Sequence, residues 1–403
     1  MPALTLTMRP LEPPFRGVLD DVARGFGFPT SVEVTRLGAL VAELSAGYND
    51  RSAKAPVTDD SKNLAARLLF SFPRDLQKGA AAVRELVRAG LLPTDRPLRV
   101  LDVGAGLGAM TFGLLRALPA GARVDAALTD SSAPALKVAA AVGRSASLLE
   151  PERTLHATTR VADVASPASR GERFDVVIAG NVLSELDREL SDDERRERHV
   201  ALVTRWLSHV DEGGSLVIVE PALRDRTRHL HYVRDALLQG KVASVFAPCL
   251  HRGACPMLVR ETDWCHEDLP IDLPDWLVPV ARAAGLRYEG LTFSYLVLRK
   301  DARSAGDGLV SPWREVSGRI ATKGKLERLL CGPEAHGAVD GQADGAARSG
   351  PLRAMRLERA ATDSNEPWER AERGAIMTFT PTLVTARPRV EKDTVVRLEG
   401  EAT

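Results

Sequence analysis

An α/β fold built on a parallel sheet with helices on both faces is what this sequence predicts, and three observations predict it. Short, continuously apolar runs alternate with amphipathic stretches from Leu98 onward. A glycine-rich turn, Gly104-Ala-Gly106-Leu-Gly108, follows the first of those runs and opens a helix-like stretch. Residues 1–95 instead carry apolar side chains at helical spacing. Strands buried on both faces read as unbroken apolar runs, and the helices between them cover the sheet.

In the N-terminal region, Val32–Leu44 and Ala65–Leu91 have the spacing of amphipathic helices, and Pro93 and Pro97 close the region. Leu98–Gly104 then reads as a strand, Met110–Leu118 as a helix, Ala122–Asp130 as a strand and Ala133–Val142 as a helix. Thr158–Val164, Phe174–Ala179, Gly214–Glu220, Val242–Ala247 and Phe293–Leu298 read as further strands. Glu194–Leu207 and Arg224–Gln239 are the helices between them. Past Lys300 the pattern weakens, leaving a helix-like run at Lys323–Leu330 and strand-like pieces at Met377–Thr380 and Thr394–Leu398. The expected organisation is a helical domain over 1–95, a Rossmann-like domain over 96–302 with a cysteine-bearing insertion at 247–270, and an appendage over 303–403. Residues 337–350, rich in Gly, Ala and Asp, read as a flexible linker.

The chain has 403 residues, 44% apolar and 27% charged, which is the composition of a folded globular protein. Lys+Arg equals Asp+Glu at 54 each, so neither a basic nucleic-acid coat nor an acidic tail describes the whole chain. The first 15 residues lack the pattern of a signal peptide and no stretch is long and apolar enough to span a membrane. A cytoplasmic monomer with no membrane partner and no DNA partner is expected.

The glycine turn carries the first chemistry. Asp102-Val-Gly104-Ala-Gly106-Leu-Gly108 satisfies the D-x-G-x-G-x-G pattern of class I S-adenosylmethionine (SAM) enzymes, and with Ala109 it also satisfies a dinucleotide fingerprint. A carboxylate at Asp102 would repel a pyrophosphate but suits the ammonium of a methionine moiety, which favours SAM. Asp130 closes the second strand, where a carboxylate takes ribose hydroxyls from either cofactor. Asp163 stands at the end of the third candidate strand, where SAM enzymes often bind the adenine amino group. After the fourth strand stands Ala179-Gly-Asn181-Val-Leu-Ser184-Glu185, without the Pro-Pro-aromatic clamp of amine-directed methyltransferases. Asn181 is a candidate contact for cofactor or substrate, or a helix cap. No catalytic base stands out.

The four cysteines lie in the second half: Cys249, Cys255 and Cys265 within one short stretch, and Cys331 much later. Clustered thiols in a reducing compartment point to a metal site. Four thiolates hold either an iron–sulfur cluster or tetrahedral zinc; the irregular spacing and Pro256 lean toward the cluster, since zinc prefers paired C-x2-4-C knuckles. His251 and His266 are possible substitutes. Residues 309–330 carry Arg314, Arg319, Lys323, Lys325 and Arg328 against two glutamates, a short basic stretch able to neutralise phosphates.

Taken together these pieces resemble the ribosomal small-subunit-associated methyltransferase-like family, whose mitochondrial members are counted as small-subunit assembly factors. The resemblance runs from about Leu40 to Cys331. It rests on LSAGYND (44–50), AARLLFSFPRDLQK (65–78), LDVGAGLGA (101–109), RDALLQG (234–240), APCLH (247–251), CPM (255–257), DWCH (263–266), YEGLTFSYLVLRK (288–300) and LCGPE (330–334). It implies a 4Fe-4S cluster on Cys249, Cys255, Cys265 and Cys331, a SAM-binding sheet, and association with the small ribosomal subunit and its rRNA. It also implies that a C-terminal segment folds back to bring Cys331 to the cluster. The sequence departs from the family at Leu250, which replaces a proline, at the reduced acidic run Glu289-Gly-Leu, and in a C-terminus that is balanced rather than basic and aromatic. The expected role is rRNA methylation on the small subunit. The rivals are a non-catalytic assembly factor, and a small-molecule or protein methyltransferase with a structural zinc.

Overall fold

The computed structural model describes residues 11–50, 57–271, 273–332, 350–384 and 387–399. The chain divides into two compact units. One takes the residues up to Pro221 together with Pro270–Leu291; the other takes Ala222–Leu269 and the residues from Thr292 onward.

The first unit begins with helices α1 (Pro13–Gly25), α2 (Val34–Asn49), α3 (Ser61–Ala66) and α4 (Phe72–Arg88). Between α3 and α4, Arg67–Ser71 forms a π-helical turn in which the Phe72 N–H bonds the Arg67 carbonyl. The physical cause is Pro73. It has no N–H for the carbonyl four residues back and its ring crowds that carbonyl, so the helix widens by one residue just before it. There follow β1 (Leu98–Val103), α5 (Ala109–Ala117), β2 (Arg123–Asp130), α6 (Ala133–Arg144), α7 (Ala146–Leu149), β3 (Thr154–Val161), β4 (Phe174–Gly180), α8 (Asp192–Ser208) and β5 (Val210–Glu220). All five strands are parallel, in the order β3-β2-β1-β4-β5. The chain steps to one side of β1 for β2 and β3 and to the other for β4 and β5. This leaves a crevice at the carboxyl ends of β1 and β4, where open α/β sheets bind ligands. The expected parallel sheet is therefore present, with β3 beginning at Thr154 rather than Thr158.

Helices α4 and α5 approach closely through glycines. A Cβ on Gly113 would stand 2.3 Å from the Leu76 carbonyl oxygen and 2.8 Å from the Ala80 nitrogen. Backbone cannot yield there as a side chain would, so Gly113→Ala should destabilise the protein by about 1–3 kcal/mol, measured by denaturant unfolding. At the sheet's other end Arg96 grips Asp175 bidentately at 2.6 and 2.7 Å, and the Arg99 N–H donates to the same carboxylate at 2.8 Å. Burial works against ionisation of Asp175, but these donors outweigh it and pull its pKa to about 2. A depressed carboxyl contributes stability that is complete above the unfolded value of about 3.9 and is lost as pH falls toward 2. Asp175→Asn should thus destabilise the protein by about 1–2 kcal/mol at pH 7, allowing for the exposure of Arg96, and the deficit should vanish in acid titrations of stability.

In the second unit lie α9 (Arg224–Gln239), β6 (Ser244–Ala247), β7 (Glu267–Leu269) and β8 (Leu291–Arg299), with β6 and β7 each pairing with β8; α10 (Val278–Ala283) belongs to the first unit. The C-terminal residues of the second unit form β9 (Pro312–Glu315), β10 (Ile320–Thr322), β11 (Lys325–Cys331), β12 (Leu352–Leu357), α11 (Pro367–Arg370), β13 (Ile376–Thr378), β14 (Thr382–Val384), β15 (Arg387–Val390) and β16 (Arg397–Leu398). The strand order is β14-β15-β12-β11-β9-β13-β16, and only β12 and β15 run parallel. Trp313, Leu330, Leu352, Trp368, Met377 and Phe379 form the buried core packed on this mixed sheet.

One expectation for this region is corrected and one is narrowed. Lys323–Leu330 is not a helix; β11 pairs with β12 over Lys325–Leu330, and Leu326, Glu327, Arg328 and Leu330 are all buried. The basic stretch is divided between interior and surface. Arg328 is fully buried against Glu315, donating also to the carbonyls of Trp368 and Glu369, and Arg314 is buried on the carbonyls of Pro248 and Gly374. These two charges serve the interior, while Arg319 and Lys323 are exposed. Of the expected linker 337–350, residues 337–349 lie outside the described residues.

Candidate cofactor site and cysteine centre

The glycine turn sits at the end of β1, at the crevice. Gly104, Gly106 and Gly108 have φ of +64°, +52° and +83°, in the left-handed region that favours glycine. A Cβ on Gly104 would lie 2.7 Å from Val182 Cγ2, and one on Gly108 2.9 Å from Leu128 Cδ2. At Gly106 nothing stands within 4 Å. The outer glycines thus permit the turn itself, while the middle one leaves its backbone open to a ligand.

Asp102 is completely buried beneath the turn, and its Oδ2 accepts from Thr111 N–H (3.2 Å) and Thr111 Oγ1 (2.7 Å), anchoring the start of α5. Its Oδ1 is buried without a hydrogen-bond partner. Burial pushes this carboxyl up to about 7, with Thr111 opposing and Asp130 adding to the shift. Asp130 accepts from the Gly106 N–H and the Ser132 N–H, both at 2.8 Å, so the acid that ends β2 is pinned to the middle glycine. Asp163 is exposed just beyond β3 and accepts from the Ala165 N–H at 2.7 Å. Asn181 ends β4's excursion at φ +59° and donates its N–H to the Val219 carbonyl at 2.7 Å.

The loop after β4 is braced from the neighbouring strand. Glu220, at the end of β5, accepts from the N–H groups of Leu183 (2.8 Å) and Ser184 (3.0 Å). Burial raises its pKa to about 7, with Ser184 and Leu183 pulling it down. Arg195 donates to the carbonyls of Leu183 and Leu186, and Asp187 carries a second positive φ of +54°. Two non-glycine residues in the left-handed region within seven positions mark a loop held in place by its surroundings.

In the other unit the structure brings the cysteines into one neighbourhood. Cys255 and Cys331 pack with Met257, Leu258 and Val316, and Cys265 packs against them. Burial first, then the other cysteines, raises the pKa of Cys331, and burial and Cys249 push Cys255 up to about 12. All four are free thiols. Among the described residues no three or more His, Cys, Asp and Glu side chains are arranged as a finished metal site. The donors are therefore gathered but not closed around a centre. The donor set itself suits a soft metal or iron–sulfur centre: four sulfurs, three of them under 10% exposed, with cationic groups nearby.

Those cationic groups come from one face of α9. Arg228 donates to the carbonyls of Met257 (3.1 Å), Arg260 (2.7 Å) and Asp263 (2.8 Å). His231 Nε2 meets the Cys265 carbonyl at 3.4 Å. Arg234 donates to the carbonyls of Gly253 (2.6 Å) and His251 (3.0 Å), and Asp235 accepts from the Cys255 N–H. Positions 228, 231 and 234–235 fall on adjacent turns of one helical face. This spacing was visible in the sequence, but nothing there tied it to the cysteines. His251 and His266, the possible substitutes, sit against Arg234 and Arg373; burial and those cations hold their pKa near 3 and 4.

The sequence profile of the family described as mitochondrial small ribosomal subunit Rsm22 matches residues 70–336, about two thirds of the chain. The chain belongs to the Rsm22 family. The match takes in the glycine turn, Asp130, Asp163, Asn181 and all four cysteines. The family's description names the mitochondrion, which departs from the cytoplasmic location expected from the sequence. No curated protein matches this Rsm22-family chain. Among solved structures it is similar to the magnesium protoporphyrin IX methyltransferase of Synechocystis with bound SAM. The identity is 14% over 65% of this chain and 97% of that one, with a TM-score of 0.34. It is also similar to a SAM-dependent methyltransferase of Thiobacillus denitrificans in complex with S-adenosylhomocysteine, at 19% identity, 37% and 48% coverage and a TM-score of 0.25. The parallel order β3-β2-β1-β4-β5, with a glycine turn after β1 and an acid ending β2, is the class I SAM-methyltransferase fold. Among the described residues no helix is long and apolar enough to cross a membrane.

Proposed function

We propose that this Rsm22-family chain is a SAM-binding factor acting on the small ribosomal subunit or its rRNA, with an iron–sulfur centre on Cys249, Cys255, Cys265 and Cys331. The observation that carries the cofactor reading is the open backbone at Gly106, with Asp130 held beside it. SAM, when bound, supplies a methyl group on a sulfonium. The protein's own part is to hold and exclude: Gly104–Gly108 receive the methionine end by backbone, Asp130 faces the ribose, Asp163 the adenine, and Asn181 the reacting end. The buried Asp102, with one oxygen unsatisfied, favours a cation above it. The ribosomal partner rests on the family's description.

Binding of S-adenosylhomocysteine by calorimetry tests the cofactor reading, and an Rsm22-family protein that binds NAD instead overturns it. Anaerobic purification followed by iron, sulfide and zinc analysis tests the centre; zinc without iron replaces the cluster by a zinc staple. One observation favours a second reading, a factor that binds SAM without transferring its methyl. At the acceptor end Glu220 is engaged by Leu183 and Ser184, and no amine clamp follows Asn181. Labelled SAM with precursor small subunits separates the two, since only the enzyme labels rRNA.

A further inference from the structure

Three side chains from three separate elements, without a part in the cofactor reading, are coupled to one another, one of them on the loop after β4. Tyr48 comes from the last turn of α2, Arg67 opens the π-helical turn, and Glu185 stands four residues beyond Asn181 on the braced loop. Arg67 lies 5.6 Å from the centroid of the Tyr48 ring and is ion-paired with Asp59. Its Nε is buried with no hydrogen-bond partner. Glu185 acts electrostatically on both Tyr48 and Arg67, and Arg67 hydrogen-bonds Tyr48. Arg188 on the same loop donates to the Asp50 carbonyl just past α2, fastening the loop to that helix. A π turn at a helix interior recurs at functional sites, and Arg67 is the first residue of this one.

We propose that Tyr48, Arg67 and Glu185 form the acceptor side of the cofactor pocket and hold the edge of an unpaired nucleobase there. The inference rests on the SAM-binding reading above. Glu185 supplies an acceptor for an exocyclic amino group, and the Arg67 Nε–H and Tyr48 hydroxyl supply donors for a ring nitrogen or carbonyl beside it. A base edge with a donor next to an acceptor satisfies both at once. Burial keeps the tyrosine protonated, so it serves as a donor. The Asn181–Glu185 span is short enough that one loop touches both the cofactor's reacting end and the base.

The test uses full-length protein, saturating S-adenosylhomocysteine and a fluorescein-labelled single-stranded RNA read by anisotropy, with an abasic RNA of the same length as comparison. Wild type should bind the intact RNA at least about tenfold more tightly than the abasic one, a difference of roughly 1.4 kcal/mol. Tyr48→Phe and Glu185→Gln should bind intact RNA about tenfold more weakly and lose the distinction from abasic RNA. Their S-adenosylhomocysteine affinity and thermal midpoint should stay close to wild type. Variants that still distinguish the two RNAs overturn the inference, as does a wild type that binds S-adenosylhomocysteine but makes no such distinction. A wild type that fails to bind S-adenosylhomocysteine overturns the cofactor reading instead.

Discussion

Anaerobically purified Cys331→Ala should lose iron and sulfide together, lose its absorbance near 400 nm (roughly, for cysteine-ligated iron–sulfur), and unfold at much lower denaturant than wild type. Cys331 ends β11 and is the one thiol of the four contributed by the C-terminal sheet; the other three lie within 249–265. It is also buried against Met257, Leu258 and Val316. As a plain core residue, its truncation to alanine would cost about 1 kcal/mol, since little volume is lost. As a ligand, its loss removes the binding free energy of a centre that exists only in the folded chain, which for structural metals reaches roughly 10 kcal/mol. The expected destabilisation is therefore at least about 3 kcal/mol, even after partial re-ligation by His251 or water. Cys255→Ala should behave alike, because its N–H is already fixed by Asp235 and its sulfur faces the same patch. A wild type without iron, sulfide or zinc, and cysteine variants all within about 1 kcal/mol of it, would leave four ordinary buried thiols.

The arrangement on α9 explains why such a centre would be stable in this chain. Burial first, and then repulsion between neighbouring thiolates, raises the pKa values of the free thiols. Arg234 is the opposing charge on Cys255 and Cys331, and its own pKa is raised by Cys249, Cys255 and Asp235 despite burial. The same guanidinium ties down the carbonyls of residues 251 and 253, so charge compensation and loop geometry come from one side chain. The loop from Cys249 to Cys265 has only a short 3-10 turn and would otherwise lack secondary structure to fix it.

What the sequence makes legible divides along physical lines. The parallel strands announce themselves because burial on both faces demands unbroken apolar runs such as Val176–Ala179 and Leu216–Val219. The glycine turn is equally plain, because glycine takes the left-handed dihedral angles it needs at no steric cost. Lys323–Leu330 misleads because, apart from Gly324, KGKLERLL consists of good helix formers, and its leucines fit a helical stripe as well as a strand. What decides for a strand is pairing with β12, a segment more than twenty residues away, and a buried Arg328 whose partners, Glu315 and the Trp368 carbonyl, lie 13 and 40 residues away in sequence. For the same reason five cations in a row suggest a surface, whereas two of them serve the interior. Glu220 escapes notice because a lone acid at a strand end has many explanations, and only the backbone N–H groups of Leu183 and Ser184 single one out.

Gly104→Val and Gly106→Val should separate the two duties of the cofactor turn. At Gly104 a side chain meets Val182 at 2.7 Å as well as an unfavourable φ, so the variant should lose stability, by about 2–4 kcal/mol, and S-adenosylhomocysteine binding together. At Gly106 the protein offers no clash, and the strain of a left-handed valine alone is about 1–2 kcal/mol. The open space beside it is where the ligand backbone approach is required, and the Gly106 N–H is already committed to Asp130. A branched side chain there fills the approach and tilts the very carboxylate that faces the ribose. Gly106→Val should therefore bind S-adenosylhomocysteine at least about 100-fold more weakly, some 2.7 kcal/mol, while denaturant unfolding shows the smaller stability loss of the two. The C-terminal sheet and the cysteine patch belong to the other unit, so the iron and sulfide content of Gly106→Val should match wild type. An affinity near wild type in Gly106→Val would mean that the open face at this glycine is not where the cofactor lies, and Asp130 would then be only the cap of the loop it closes.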